Sequence, residues 1–404
     1  MREGVCPKEN DLPIGYKVDY ITINWFILAV MRTDYFIDSI KLVNFKNLHS
    51  IQLKFHKKWN AVLGMNGMGK TNLLDALYYT CLGKSYFAAG DRNVVSHGLE
   101  FFRIESEVIN DGAAEKVVCK VIPGQVKEIS VGGKKSGSLS EHVGRFPCVM
   151  IAPMDIHNLL EGSEERRNLM NQTLIQVDKK YTEAMVSYNR LLRQRNALLK
   201  SFQEGRYFDK DLLEALSVQM INPAHYIYQK RKQLAGELSV VFTIMYQKIS
   251  GGREECKVEY RSQLDKKSFS ELFAENLEKD RIMGRTHAGV HKDDLDLIMN
   301  GEPVKPFGSQ GQLKSFVMAL KLAQFMKMKE YLGRSPVLIL DDIFDKLDAE
   351  RVSFLLEILQ NKDFGQIFIS DKDVLTIPDL LDRISSQYRI FVIHEGTLKY
   401  SKEK

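Results

Sequence analysis

Hydrophobic and polar residues alternate along several short stretches near the start of the chain. Residues 51–55 alternate strictly and residues 37–43 do so loosely, with a short polar connection between them. This pattern predicts a hairpin of two half-buried strands. Further strands are predicted at residues 101–108, 116–122 and 128–131. This part of the chain therefore mixes α and β structure and contains an antiparallel part.

Two longer stretches show the three-to-four spacing of apolar residues that is typical of helices. The first covers residues 163–202 and begins at Ser163, which precedes two glutamates as a helix-capping serine does. The second covers residues 212–249, and Pro223 predicts an interruption or a start within it. Neither stretch has a sustained heptad, so we expect a compact helical lobe and no long coiled coil.

Two largely apolar runs predict further strands: residues 59–63, and residues 336–340, which are typical of a buried parallel strand. The first run ends in a glycine-rich turn that opens a helical pattern, which is the context of a phosphate-binding loop. We expect Lys70 to reach the β- and γ-phosphates of ATP and the Thr71 hydroxyl to hold Mg²⁺. The predicted nucleotide-binding residues are Gly64, Met65, Asn66, Gly67, Met68, Gly69, Lys70, Thr71 and Asn72.

The second apolar run ends in two carboxylates, Asp341 and Asp342. Ligands of α/β sheets bind beyond the carboxyl ends of the strands, so both side chains should point at the phosphates. We assign Asp341 to the metal, and Asp342, with Lys70, to catalysis, Asp342 orienting the attacking water. Taken alone, such a run is also a common buried strand that ends in a solvated acidic turn.

Ser309, Gln310, Gly311 and Gln312 precede a helical pattern at residues 313–331. Ser309 and Gln312 have the spacing of a capping box, so the segment is at least a capped helix start. It could also form a second anion site. A chain with one phosphate loop uses such a site most simply in a head-to-tail dimer, where each segment closes on the partner's nucleotide.

Composition narrows the function only slightly. The chain has 404 residues, 44% of them hydrophobic, and a formal net charge of +5, which permits nucleic-acid binding without arguing for it. Five scattered cysteines indicate neither a disulfide framework nor a zinc site, and a reducing cytoplasm fits them best. Basic residues on the predicted helices either solvate a helix face or contact a phosphate backbone. They are Arg166, Arg167, Lys179, Lys180, Arg190, Arg193, Arg195, Lys230, Arg231 and Lys232.

The apolar run at residues 21–30 is too short to span a bilayer. It is either an added strand or a membrane-surface anchor, or else residues 1–30 are an upstream extension and translation starts at Met31. We favour the extension, because the strand pair after Tyr35 is already complete.

The order of phosphate loop, helical insertion, serine–glutamine–glycine segment and paired acids resembles the ABC-type ATPases of the SMC superfamily, most closely their bacterial DNA-repair branch. The resemblance extends from about Tyr35 to the C-terminus. It also rests on residues 42–47, 83–85, 284–286 and 291–294 and on Asp348 after Leu347. It implies an α/β ATPase head with a mixed sheet and an inserted helical lobe.

The resemblance also implies roles. Ser309 to Gln312 correspond to the signature segment that contacts ATP across a dimer, and Asp348 to a loop at the dimer interface. Asp342 stands where most ABC ATPases have glutamate, which implies slow, DNA-stimulated hydrolysis suited to a switch. The implied partners are single-stranded and gapped duplex DNA, a second copy bound in the presence of ATP, and mediators of the RecO and RecR type. Residues 153–156 read Pro-Met-Asp-Ile where the family usually reads Pro-Glu-Asp-Leu, so the resemblance assigns no metal contact there. Residues 370–372 lack the family's switch histidine, so the γ-phosphate sensor is unassigned.

The predicted organisation is an extension at residues 1–30, the ATPase amino-terminal part at 31–155, the helical lobe at 156–280 and the ATPase carboxy-terminal part at 281–404. Two other functions stay open: a transporter's nucleotide-binding subunit, against which the basic helices argue, and an ATP-binding scaffold without turnover. The intact Lys70, Thr71, Asp341 and Asp342 argue against the scaffold.

Overall fold

The computed structural model describes residues 35–205, 208–344, 349–374 and 376–404. The extension at residues 1–30 and Asp348 lie outside these residues. The strands are β1 (Tyr35–Phe45), β2 (Leu48–Lys54), β3 (Trp59–Leu63), β4 (Phe102–Asn110), β5 (Ala113–Ile122), β6 (Val126–Val131), β7 (Lys134–Lys135), β8 (Cys148–Ile151), β9 (Cys256–Arg261), β10 (Asp294–Met299), β11 (Glu302–Pro303), β12 (Val337–Leu340), β13 (Ile367–Asp371), β14 (Arg389–His394) and β15 (Thr397–Glu403). The helices are α1 (Lys70–Leu82), α2 (Leu139–His142), α3 (Met154–Glu161), α4 (Ser163–Val177), α5 (Lys179–Gln203), α6 (Lys210–Ser250), α7 (Phe269–Met283), α8 (Val304–Phe307), α9 (Gln310–Leu332), α10 (Ala349–Gln360) and α11 (Thr376–Ile384).

The strands form three sheets. An antiparallel sheet has the order β2-β1-β4-β5-β6-β7, which confirms the predicted hairpin and the antiparallel part. A mixed sheet has the order β15-β14-β3-β13-β12-β8 and is parallel except for the pair β14–β15. A small sheet pairs β11, β10 and β9. The two apolar runs are thus the strands β3 and β12, as predicted, and both pair in parallel, which the sequence predicted for the second run.

The mixed sheet is the middle layer of the fold. Side chains on its strands alternate between two cores: Ala61 and Leu63 face the core that contains α4 to α6 and α9, whereas Val62 faces the core that contains α1 and the antiparallel sheet. Both faces of each parallel strand are therefore covered by apolar side chains, which explains why the sequence shows unbroken apolar runs there. Helix α1 lies between two sheets and is buried on almost every side.

The helical lobe packs on the face of the mixed sheet that is opposite α1 and the antiparallel sheet. Helices α5 and α6 pack against each other, and α6 also packs against α9, where the rings of Phe242 and Phe316 lie 4.6 Å apart. The predicted interruption at Pro223 is wrong, because α6 continues through it. Gln219, whose carbonyl loses its usual donor, is exposed, so water can bind that oxygen. The first predicted helix is in fact two, α4 and α5, with Gly162 and not Ser163 as the capping residue of α4.

Candidate nucleotide-binding site

The glycine-rich loop leaves the end of β3 and opens α1. Gly64, Gly67 and Gly69 have φ angles of 150°, 81° and 112°, which residues with a Cβ rarely adopt. Two of these glycines are also closely approached: a Cβ on Gly64 would lie 2.4 Å from the Ile393 carbonyl oxygen, and one on Gly69 would lie 2.9 Å from Asn47 Oδ1. The loop therefore requires glycine for its backbone conformation and for its packing.

Lys70 is the buried cation of this loop, with 4% of its surface exposed. Its Nζ donates a hydrogen bond across the loop to the Met65 carbonyl oxygen at 3.2 Å. The ammonium group and the free amides at the start of α1 thus face the same space, and together they form a site for an anion. The Asn72 amide donates to Asn47 Oδ1 at 2.8 Å, and Asn47 in turn donates to the Gly67 carbonyl oxygen of the loop at 3.2 Å.

The Thr71 hydroxyl meets the first of the paired acids. Thr71 Oγ1 lies 3.1 Å from both carboxylate oxygens of Asp341, and Ser370 Oγ donates to Asp341 Oδ1 at 2.6 Å. Burial raises the pKa of Asp341, although these two hydroxyls act in the opposite direction. A hydroxyl and a carboxylate next to the phosphate loop are suitable Mg²⁺ ligands, and phosphates and water would complete the coordination. Among the described residues there is no group of three or more His, Cys, Asp or Glu that could hold a metal by itself.

Asp342 has the left-handed backbone conformation, with φ at 44°. Its amide donates to Ser370 Oγ at 3.0 Å, so the hydroxyl that contacts Asp341 also fixes the second acid. Aspartate tolerates this conformation better than most residues, and unusual backbone angles are often found at functional sites. Burial raises the pKa of nearby Asp371, and the charge of Asp342 adds to this effect.

A cleft of about 780 Å³ contains Asn66, Asp342 and Asp371 together with Gln310 from the start of α9. The predicted capping box is confirmed: the Gln312 amide N donates to Ser309 Oγ at 3.3 Å, and the Ser309 amide donates to Gln312 Oε1 at 2.7 Å. Arg351 donates to the Gly311 carbonyl oxygen. The capping box and the Arg351 hydrogen bond together hold residues 309–312 at one end of the cleft.

Sequence reasoning missed several groups that shape the site. Ser370 carries no motif of its own and acts only because β13 runs beside β12. The turn between β14 and β15 touches the loop, because the Gly396 amide donates to the Met68 carbonyl oxygen at 2.9 Å. Asp155 does not face the cleft; its buried carboxylate accepts hydrogen bonds from Tyr86 Oη and from the Ala152 amide.

Several predicted phosphate-contacting arginines are instead buried in ion pairs. Arg195 pairs with Asp280 at 2.7 Å, Arg231 pairs with Asp293 at 2.9 Å, and both arginines are at most 2% exposed. Arg166 binds Asp294 through two hydrogen bonds of 2.7 and 2.9 Å. These arginines hold α4, α5 and α6 to α7, to β10 and to the loop between α7 and β10. The remaining basic residues on α5 and α6 named above are exposed or half-buried.

A phosphate loop that meets paired acids across a parallel sheet, in a head with a long helical insertion, defines an ATPase head of the ABC and SMC type. The sequence profile of the AAA domain matches residues 39–283. The chain is 39% identical to the DNA replication and repair protein RecF of Flavobacterium johnsoniae over 355 residues, which is 88% of this chain and 99% of that protein. It is also 39% identical to RecF of Phocaeicola vulgatus, over 90% of this chain and 98% of that protein. The chain therefore belongs to the RecF family.

Solved structures agree with this assignment. A structure of the recombination mediator protein RecF-ATP in the RecFOR pathway has a TM-score of 0.82 and 26% identity, and covers 93% of this chain and 99% of that chain. An Smc head domain from Pyrococcus furiosus has a TM-score of 0.53 and 16% identity, and covers 92% of this chain and 96% of that chain, which supports the fold alone. No helix in the described part of the chain is long and apolar enough to cross a membrane.

Proposed function

We propose that the chain is an ATP-dependent DNA-binding protein of recombinational repair and replication restart. The observation that carries this proposal is the contact of Thr71 with Asp341 at the mouth of the phosphate loop. Membership of the RecF family supports the repair role, and the relatives named as mediators of the RecFOR pathway support RecO- and RecR-type partners.

In this proposal Lys70 and the loop amides bind the phosphates of ATP, and Thr71 and Asp341 hold Mg²⁺. The cation would neutralise phosphate charge during transfer. Asp342 accepts a proton from the attacking water and orients it. The aspartate side chain is one methylene shorter than glutamate, so it reaches the water less well and hydrolysis is slow.

The proposal further requires that two copies close head to tail around ATP, with Ser309 to Gln312 of one copy on the nucleotide of the other. The amides at the start of α9 are suited to an anion, and Ser309 and Gln310 are exposed. The dimer would bind single-strand gaps and duplex junctions, and hydrolysis would release the DNA.

The test is light scattering of the Asp342→Asn variant with ATP and Mg²⁺, with and without a gapped duplex. We expect the mass to double only with ATP and the dimer to be strengthened by DNA. Ser309→Arg should abolish the dimer but keep ATP binding. The matched control is Ser309→Gly, which keeps helix capping to within a few tenths of a kcal/mol. A monomer under all conditions would refute the dimer, and dimerisation of Ser309→Arg would refute the role of this segment.

A further inference from the structure

Two buried ion pairs flank the loop between α7 and β10, one on the last turn of α7 and one directly before β10. Asp280 accepts from Arg195 at 2.7 Å and from the His287 amide at 2.9 Å. Asp293, at the other end, accepts from Arg231 at 2.9 Å. These two carboxylates are therefore already paired with buried arginines, and they hold the two ends of the loop in place.

Other cations lie on and beside the outer surface of the same loop, and they form no ion pair with either carboxylate. Arg285 and Lys292 are exposed, Lys279 is exposed on the last turns of α7, and Arg167 is half-buried on α4. None of the four has an ion-pair partner in the part of the chain that the structure describes. Arg167 Nη1 donates to the Asp293 carbonyl oxygen at 2.8 Å, which fixes this guanidinium beside the loop.

Lys292 is the member of this group on which the charges of the other three act. Partial desolvation lowers the pKa of Lys292, and the charges of Arg285, Arg167 and Lys279 lower it further, whereas Asp280 acts in the opposite direction. Like charges that a rigid backbone holds together are stabilised when an anion binds between them.

We propose that Arg167, Lys279, Arg285 and Lys292 form a binding surface for the phosphodiester backbone of duplex DNA. The proposal rests on the DNA-binding function proposed above and gives that function a location. The cations come from two helices and a loop, so they suit an extended row of phosphates. The neighbouring aromatic residues Tyr188 and Phe269 are buried, so they are not available to stack on bases as aromatic side chains do when single strands bind.

The experiment measures binding of a labelled duplex to the full chain with ATP and Mg²⁺ at several salt concentrations. In the double variant Arg285→Gln/Lys292→Gln we expect the affinity to fall about tenfold or more and the slope of log affinity against log salt to decrease by about 2. ATP binding and thermal stability should change little, because both side chains are exposed, neither forms an ion pair with another described residue, and the one side-chain bond of Arg285, to His287 Nε2, is long at 3.4 Å.

The matched control is Lys57→Gln/Lys362→Gln, which removes the same charge from exposed lysines near the amino ends of β3 and β13. If this control binds duplex DNA with the affinity and the salt slope of the wild-type chain, the result supports the proposed DNA-binding surface. Equal loss in both double variants, or no loss in Arg285→Gln/Lys292→Gln, overturns it while DNA binding itself stands. No duplex binding by the wild-type chain overturns both proposals.

Discussion

Replacement of Arg231 by methionine should destabilise the fold, although the sequence presents this arginine as one of a row of helix-surface cations. The guanidinium is 2% exposed and donates four hydrogen bonds to oxygen atoms. Their acceptors are Asp293 Oδ2 at 2.9 Å, the Val290 carbonyl oxygen at 2.6 Å, Tyr181 Oη at 3.1 Å and Asn171 Oδ1 at 3.0 Å. Methionine fills a similar volume but leaves these acceptors and one buried carboxylate without their cation.

The loss of folding stability in Arg231→Met depends on the hydrogen bonds that Asp293 retains. Removal of one partner of a buried ion pair typically costs about 3–5 kcal/mol. Asp293 retains hydrogen bonds of 2.6 Å from Tyr260 Oη and from Ser262 Oγ, so we expect the lower end, about 3 kcal/mol. Burial raises the pKa of Asp293, and loss of Arg231 removes a charge that opposes this shift. A carboxyl whose pKa is raised by folding destabilises the fold when it is ionised, so the loss should be larger at about pH 8 than at about pH 5.

Urea unfolding measures the prediction, and the neighbouring lysine provides the control. Lys232 pairs with Asp265 at 2.6 Å, but these side chains are 57% and 30% exposed, so Lys232→Met should cost at most about 1 kcal/mol. Adding Asp293→Asn to Arg231→Met should restore part of the loss, because the stranded charge is removed. Equal losses in Arg231→Met and Lys232→Met, or a loss that grows on acidification, would refute the assignment of Arg231 as a buried structural cation.

Three further outcomes follow from the site. Burial raises the pKa of Asp341, so protons should compete with Mg²⁺ for this carboxylate at pH values above those at which an ordinary carboxyl group titrates. As the pH is lowered, the ATP affinity measured in the presence of Mg²⁺ should therefore fall, whereas the ATP affinity measured in EDTA should stay constant. Gly396→Ala should weaken ATP binding in a calorimetric titration, because its Cβ would lie 2.0 Å from the Asn47 carbonyl oxygen beside the phosphate loop. Gly301→Ala, a positive-φ turn with nothing within 4 Å, should leave ATP binding unchanged. Lys321→Met should keep the ATP affinity but lower the ATP-induced dimerisation measured by light scattering. Unchanged dimerisation would show that the buried contacts of Lys321 are only structural.

Sequence and structure agree where local patterns determine the geometry. The capping box of Ser309 and Gln312 needs only residues three apart, and the phosphate loop needs only its own glycines. Arg231 and Lys232 show the limit: they are adjacent in the sequence, but neighbouring side chains on a helix point about 100° apart, so one is buried and the other exposed. Ser370 could not be found either, because its role depends on the order of the parallel strands.

The resemblance to the family at residues 83–85 has a structural explanation. These residues belong to a buried polar connection between the phosphate loop and the segment that begins at Ser309. Asp75, on the phosphate-loop helix α1, accepts from Ser85 Oγ at 2.6 Å and from the Tyr86 amide at 2.7 Å. Tyr86 Oη donates to Asp155, and Lys321 Nζ, on α9, donates to Tyr86 Oη at 3.3 Å. Helix α9 begins at the Ser309 segment, so a shift of either helix must strain these buried bonds. Unpaired buried polar groups are costly, so these hydrogen bonds oppose any movement of α1 relative to α9. We infer that α1 and α9 move together when the nucleotide binds.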